Sequence, residues 1–548
     1  MNAELLLAHF HRISEAPDAV THLRRFILNL AVRGKLVEQL SEEHSFNGLS
    51  NVSLGKRAEN EEIVPRGWLA GTVGDFLDFQ YGKGLPASAR IENGPVPVFG
   101  SNGVVGYCSQ ALSERPTIIV GRKGSAGALN MCDGPSWTTD VAYFIEPPQI
   151  FNIRYLYFAL HALDLDKLGK GVKPGLSRND AYLLGLCVPP MPEQHRIIAK
   201  VDELMALCDR LEVAQHERES RRDLLAASAH HHLNSSADAE VLSSHAQFFI
   251  GHLPSITARP DQVKQLRQTI LNLAVRGRLV PQDSSDEPID ELIKRIRQEQ
   301  DRLIKAGAIP ARKATKHHNT SNLLSSSPPS WANVEFSSLC NIITSGSRGW
   351  AEYYADQGPR FIRAQNIRFG QLKLDDLASV NPPRSSEGTR TRVSKGDLLI
   401  VITGAGVTNP ALLEEDLGEA YVSQHVALIK PTSTDLSPWL LLFLMAETGG
   451  RGDLVERAYG AGKPGLNLDN IRSLSVSLPP LAEQHRIVAK IDELMAMCDQ
   501  LEVRLATAHA EASRLLESVL HKALNPEACE QMAQARESRR VSNRASPR

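Results

Sequence analysis

No CxxC pair occurs among the seven cysteines (Cys108, Cys132, Cys187, Cys208, Cys340, Cys498 and Cys529), and their number is odd. That speaks against a zinc ribbon or a disulfide framework and for reduced thiols in a cytoplasm. Long apolar runs are also missing. The longest, WLLLFLMA at 439–446, falls far short of the roughly 20 residues a membrane span needs, and the first apolar run is broken by His9, His11 and Arg12. A cytoplasmic protein with no membrane partner is expected. Net charge is nearly absent, at −2 over 548 residues, so no global basic field advertises nucleic acid and any such partner must meet local patches.

Catalytic signatures are missing as well. GAGKPGL at 460–466 has neither the spacing nor the hydroxyl of a phosphate-binding P-loop. NPPR at 381–384 puts Arg384 where an amino-methyltransferase needs an aromatic ring to stack on its flipped base, and no glycine-rich cofactor loop precedes it. The runs His230-His231-His232 and His317-His318 lack carboxylate or cysteine company for a metal, and no nuclease carboxylate cluster is evident. The chain reads as non-catalytic, without a cofactor or metal of its own.

What is present is a duplication. With 42% hydrophobic and 23% charged residues the composition is globular, and the length suggests three or four domains. LRRFILNLAVRGKLV at 23–37 returns as LRQTILNLAVRGRLV at 266–280, with 12 of 15 positions identical. The stretch 188–212, containing PEQHRIIAKVDELMALCDRLE, returns at 478–502 with 18 of 25 identical. The offsets are 243 and 290 residues, so the material between the blocks is 47 residues longer in the second half. That material diverges, apart from PRGW (65–68) against PPSW (328–331) and GVKPGL (171–176) against AGKPGL (461–466). VPVFGSN (96–102) lies only loosely beside RFIRAQN (360–366). Two like frames hold two unlike inserts.

Pro189-Pro190 and Pro479-Pro480 mark helix starts. Apolar residues then recur at three and four: Ile197, Val201, Leu204, Cys208 and Leu211 in one copy, Ile487, Ile491, Leu494, Cys498 and Leu501 onward in the other. The spacing predicts two long helices zipped antiparallel about a pseudo-two-fold, with Ile197, Val201, Leu204, Leu211, Ile487, Ile491, Leu494 and Leu501 at the interface. Gln215, Arg218 and Arg222 interrupt the seam of the first copy. FILNLAVRG reads as a helix capped at Gly34 or Gly277. In the inserts, TIIVG (117–121), VAYFI (141–145), LLIVIT (398–403) and HVALIKP (425–431) read as strands, and 153–163 and 438–447 as helices.

The resulting layout has eight parts. A helical region at 1–61 is followed by a first variable domain at 62–187 and a long helix at 188–234. A linker and central helical region (235–310, Ser/Ala-rich at 234–246) and a linker at 311–330 lead to a second variable domain at 331–477. A second long helix at 478–525 ends in a basic tail at 526–548, expected to be disordered.

Polar, basic, glycine-rich loops remain as candidate chemistry. The first domain offers Lys83 in YGKGLP, Ser101 and Asn102 in FGSNG, and Arg122 and Lys123 in GRKGSAG. The second offers Arg348 in SGSRGW, Arg363, Gln365, Asn366 and Arg368 in RAQNIR, and Arg390 and Arg392 in the basic stretch 360–395. Arg can fork onto guanine and Asn or Gln onto adenine, while glycine lets backbone approach closely.

Together PPMPEQHRIIAKVDEL, PPLAEQHRIVAKIDEL, the two ILNLAVRG blocks and the GW/SW starts of the variable segments resemble the specificity (S) subunit of type I restriction-modification systems, from about residue 9 to 525. The resemblance implies two pseudo-two-fold related α/β target recognition domains separated by a long antiparallel two-helix coiled coil of conserved regions. It implies double-stranded DNA as ligand, with each domain reading half of a bipartite asymmetric site. It further implies two modification subunits binding S-adenosylmethionine and methylating adenine, and restriction subunits using ATP and Mg. The competing reading is a coiled-coil adaptor presenting two protein-binding domains, which would show no salt-dependent DNA affinity.

Overall fold

The computed structural model describes residues 16–40, 64–310 and 327–524, apart from 17, 66, 172–173, 236–237, 383–385 and 461–463. The tail at 526–548 and most of the linker at 311–330 lie outside these residues. Two sheet-rich domains are separated by a long helix, and no described helix is long and apolar enough to cross a membrane. The helical frame comprises α1 (Ala19–Val32), α2 (Met191–Ser235), α3 (Ala239–Gly251), α4 (Pro260–Val275), α5 (Ile289–Lys305) and α6 (Leu481–Leu524). Helix α3 occupies what the sequence reading took for a linker. Asp238 starts it, its carboxylate accepting from the Glu240 and Val241 amides, and Phe249 buries against Ala226 and Ala229 of α2.

The chain forms two compact units, residues 1–219 with 508–548, and 220–507. In the first, strands β1 (Leu69–Thr72) and β9 (Gly185–Val188) pair antiparallel and close the variable segment at its root. Between them lie β2 (Gln80–Tyr81), β3 (Val96–Phe99), β4 (Val104–Cys108), β5 (Thr117–Gly121), β6 (Leu129–Cys132), β7 (Trp137–Thr138) and β8 (Ala142–Ile145). They form a β2-β8-β5-β6 sheet and a β4-β3-β7 sheet. The second unit repeats the design. Strand β10 (Ala332–Glu335) zips antiparallel onto β20 (Ser475–Leu478). Inside are β11 (Cys340–Ser345), β12 (Tyr354–Ile362), the hairpin β13 (Ile367–Arg368) and β14 (Gln371–Leu372), β15 (Ala378–Val380), β16 (Leu398–Val401), β17 (Pro410–Leu412), β18 (Ala420–Val422) and β19 (Val426–Pro431). Their sheets run β11-β19-β16-β17 and β15-β12-β18.

The continuous apolar runs in β5 and β16 have a physical cause. Both strands are covered on both faces, so neither alternates. Leu398 and Ile400 enter one core and Leu399 and Val401 another. Each such buried side chain contributes about 1.5–3 kcal/mol.

The repeated motifs meet at the root of each domain. Helices α1 and α4 end at Gly34 (φ +64°) and Gly277 (φ +68°), and the following amides close the caps, Lys35 onto the Leu30 carbonyl and Arg278 onto that of Leu273, each at 2.9 Å. A Cβ on either glycine would collide with the ring of Pro65 or Pro328. Three residues on, buried Trp68 and Trp331 donate from Nε1 to Glu193 and Glu483, both at 3.0 Å. These carboxylates sit in the first turns of α2 and α6, where the helix dipole favours them. Burial nevertheless raises the Glu483 pKa above the usual carboxylate value. The AVRG, PxxW and EQHR motifs are therefore one junction, built twice.

The frame carries a second repeated contact. Arg24 of α1 donates to Asp209 and Glu212 of α2, each at 2.6 Å, and Arg267 of α4 donates to Asp499 and Glu502 of α6, at 2.7 and 3.0 Å. Exposed carboxylates of this kind add under about 1 kcal/mol each, so they fix register more than stability.

The eight residues expected at the helix-pair interface line the domain cores. Ile197 and Val201 are fully buried, and with part-buried Leu204 and Leu211 they complete the core of the first unit around Trp68, Val188 and Ile27 of α1. Ile487, Ile491, Leu494 and Leu501 do the same in the second, around Trp331, Leu478 and Ile270 of α4. Spacing at three and four describes a stripe but not its partner, and the nearer partner here is each domain's own root. The far ends of the long helices find other neighbours. Ala226, Ala229 and Leu233 of α2 pack with Phe249 and Ile256 in the second unit. Ala512, Leu516, Val519 and Leu520 of α6 pack on α1 in the first. Each long helix thus belongs to both units, and the polar stretch Gln215–Arg222 of α2 falls where it passes from one to the other.

Candidate nucleic-acid interface

In the first domain the three glycine-rich loops assemble on one segment, Trp137–Val141. The Lys83 amide donates to the Thr138 carbonyl at 2.9 Å, and Trp137 Nε1 returns to the Lys83 carbonyl at 2.9 Å. Thr139 donates to the Phe99 carbonyl from both its amide and its hydroxyl, each at 2.9 Å. The amides of Arg122 and Lys123 both reach the Val141 carbonyl, at 2.9 and 3.0 Å. Gly82 lies so close to this spine that a side chain would run into the carbonyls of Thr138 and Thr139. Lys83, Asn102 and Lys123 are exposed, while Ser101 and Arg122 are half-buried.

The second domain has the same spine, Tyr421–His425. The Ser347 amide meets the Val422 carbonyl at 2.9 Å, Ser423 meets Ile362 at 2.9 Å, and Ile402 meets His425 at 2.9 Å, with Gly346 pressed against Val422 and Ser423 as Gly82 is in the first. These bonds equate Phe99 with Ile362. The alignment of VPVFGSN with RFIRAQN is therefore off by one residue, a slip that in a strand exchanges its two faces.

The predicted residues of the second domain divide by placement. Arg348 is exposed just beyond the spine contact of Ser347. Arg390 and Arg392 flank Thr391, whose hydroxyl lies 2.6 Å from that of Ser347; Arg390 donates to Thr344 and, at 3.0 Å, to the Ser345 carbonyl. Gln365 is exposed on the turn that follows Ile362, and Arg368 is exposed on β13. Arg363 is held by Asp376, donating to its carbonyl at 3.1 Å. Asn366 is a correction. Its side chain is buried, accepting from the Arg363 amide at 2.9 Å and donating to the Asp376 carbonyl at 2.8 Å, so it shapes the turn and presents nothing to a ligand.

Sequence reasoning missed the aromatics that carry these loops. Tyr81 is half exposed and edge-on to Tyr143, and both rings lie beside the Arg122 guanidinium. Arg178, 95 residues further along the chain than Lys83, closes on Tyr81. Tyr143 titrates above the ordinary phenol range, through burial first and the neighbouring Tyr81 second. In the second domain Trp350, Phe361 and Tyr421 cluster behind the loops, and burial followed by the 2.5 Å bond to Glu419 pushes Tyr421 up to about 12. The signal available in the sequence was Tyr81 itself, one residue before a Gly-Lys-Gly loop.

The two domains share one design, each gathering basic and amide side chains on loops around a common spine. The family model of the type I restriction modification DNA specificity domain matches residues 65–218 and 387–507, half of the chain. The chain belongs to that family. It is 28% identical to the type I restriction enzyme EcoEI specificity subunit of Escherichia coli over 435 residues, 75% of this chain and 70% of that protein. It is also 28% identical to the EcoAI specificity subunit of the same organism, covering 62% of this chain and 57% of that one. Among solved structures, the HsdS subunit from Thermoanaerobacter tengcongensis covers 84% of this chain and 97% of its own, at 17% identity and a TM-score of 0.37.

Proposed function

We propose that this chain is the DNA sequence-specificity subunit of a type I restriction-modification assembly, acting in the cytoplasm. Each domain reads one half of a bipartite, asymmetric site in double-stranded DNA. The chain does no chemistry itself. It directs adenine methylation by two modification subunits that bind S-adenosylmethionine, and cleavage by restriction subunits that use ATP and Mg. The observation that carries this reading is the shared spine. The same main-chain bonds support three loops in both domains, while the side chains on those loops differ, which is what two readers of different sequences require.

The site residues proposed to meet DNA are Lys83, Ser101, Asn102, Arg122 and Lys123 in the first domain and Arg348, Gln365, Arg368, Arg390 and Arg392 in the second, with Arg363 held back by Asp376. Methylome sequencing of cells with and without this gene, expressed with its modification subunits, tests the proposal. One bipartite adenine motif should appear with the gene and vanish without it; an unchanged methylome would reject it.

A further inference from the structure

Arg122 differs from the other basic residues of the first domain in how it is held. Its Nε and Nη2 both donate to one acceptor, the Asp140 carbonyl, at 3.2 and 2.6 Å. Its guanidinium carbon lies 5.3 Å from the centre of the Tyr81 ring and 5.9 Å from that of Tyr143. Tyr81 is in turn covered by Arg178 at 4.9 Å, and Tyr143 is anchored by its hydroxyl to the Leu176 carbonyl at 3.1 Å. Among the described residues no carboxylate pairs with Arg122.

A guanidinium bound along its Nε–Nη2 edge keeps the opposite pair of N–H groups, one on each Nη, parallel and directed away from that edge. The side-chain entropy that a free arginine loses on binding is largely removed in advance. The remaining fork matches two adjacent acceptors, and in the major groove guanine alone presents such a pair, O6 and N7.

A phosphate also offers two oxygens, and the second domain separates the two possibilities. The main-chain bonds equate Arg122 with Ile402, since Leu176 donates to the Arg122 carbonyl at 2.9 Å and Leu466 to that of Ile402 at 2.8 Å. Pairing of β2 with β8 and of β11 with β19 equates Tyr81 with Ser345 and Tyr143 with Ala427. All three members of the group are replaced together, and Ile402 is buried. A phosphate contact is indifferent to sequence and would serve both domains; a base contact need serve only one.

We propose that Arg122 reads a guanine in the half-site of the first domain, its Nη1–Nη2 fork donating to O6 and N7, with Tyr81 and Arg178 as positioning residues. This rests on the DNA-reading function proposed above. The test expresses the full chain with its modification subunits and reads the methylated motif for the native chain, Arg122→Ala, Arg122→Lys and Tyr81→Ala. Binding of each assembly is measured on duplexes carrying guanine or 7-deazaguanine at the position concerned.

The native motif should hold a guanine in one half. Arg122→Ala should accept any base at that position alone, and Arg122→Lys should keep only part of the preference for guanine, with the other half and the gap unchanged in both. Replacing guanine by 7-deazaguanine should weaken native binding about 5- to 100-fold and leave Arg122→Ala indifferent. Tyr81→Ala should lose part of the discrimination without altering the dependence of affinity on salt, whereas Tyr81→Phe should keep it. Three results overturn the inference while leaving the DNA-reading function standing: a half-site without G·C, an unchanged motif in Arg122→Ala, or uniformly weaker binding with a salt slope shallower by about one. A native assembly that methylates no defined motif would instead overturn the function itself.

Discussion

His230 lies near the end of α2, 6% exposed, with Nδ1 2.8 Å from the Thr269 hydroxyl of α4 and its ring 5.0 Å from Phe249 of α3. Burial lowers its pKa from 6.5 to about 4. Between those values the unfolded chain binds a proton at this residue and the native unit does not. Stability is therefore fully present above pH 6.5 and declines as pH falls toward 4, by up to about 3 kcal/mol. His230→Asn keeps a hydrogen-bonding atom for Thr269 and cannot titrate. Hydrogen-exchange protection of α4 should fall between pH 6.5 and 4.5 in the native chain and stay level in the variant; equal declines would assign the effect to another group. In the sequence His230 was one of three adjacent histidines with no visible partner. Thr269 is 39 residues away, and nothing local relates the two.

The long helices show where periodicity stops informing. Their starts after Pro189-Pro190 and Pro479-Pro480 were legible, as were the strands 117–121 and 398–401 and the caps at Gly34 and Gly277, because prolines, β-branched runs and positive-φ glycines act locally. The partner of a stripe is not local. Ile197 and Val201, expected in a coiled-coil seam, lie in the core beside Trp68, and a helix on its own domain and a helix in a coiled coil bury residues at the same spacing. The same difficulty hid Leu516. It is fully buried at the far end of α6 among Ala16, Ala19, Phe26 and Leu30 of the first unit, nearly 500 residues away in sequence. Leu516→Ala should cost about 2–5 kcal/mol locally. Hydrogen exchange should show α1 losing protection while α4, which belongs to the other unit, keeps it; retained protection in α1 would mean that α6 does not support it.

The division of each long helix between two units suggests where the spacing of a bipartite site could be altered. The first passes from one unit to the other at Glu219–Ser220 and the second at Thr507–Ala508, positions similarly far from the helix starts at Met191 and Leu481. Before these points the helices complete the cores of their own domains, and an insertion after Leu211 would carry Glu212 away from Arg24 of α1. At the crossing points the α2 sequence is polar and only lightly buried, and added residues displace little. Four residues extend a helix by about 6 Å and turn it roughly 40° beyond a full turn. That length corresponds to close to two base pairs of B-DNA, at about 3.4 Å each. Inserting Ala-Glu-Ala-Lys between Glu219 and Ser220, with a matching insertion between Thr507 and Ala508, should lengthen the unread gap by one or two base pairs. Both half-motifs should stay as they were, because the loops on Trp137–Val141 and Tyr421–His425 are untouched. Methylome sequencing of the doubly inserted chain with its modification subunits decides the matter. A methylated motif with the original gap would show that something other than the length of these helices sets the distance between the readers.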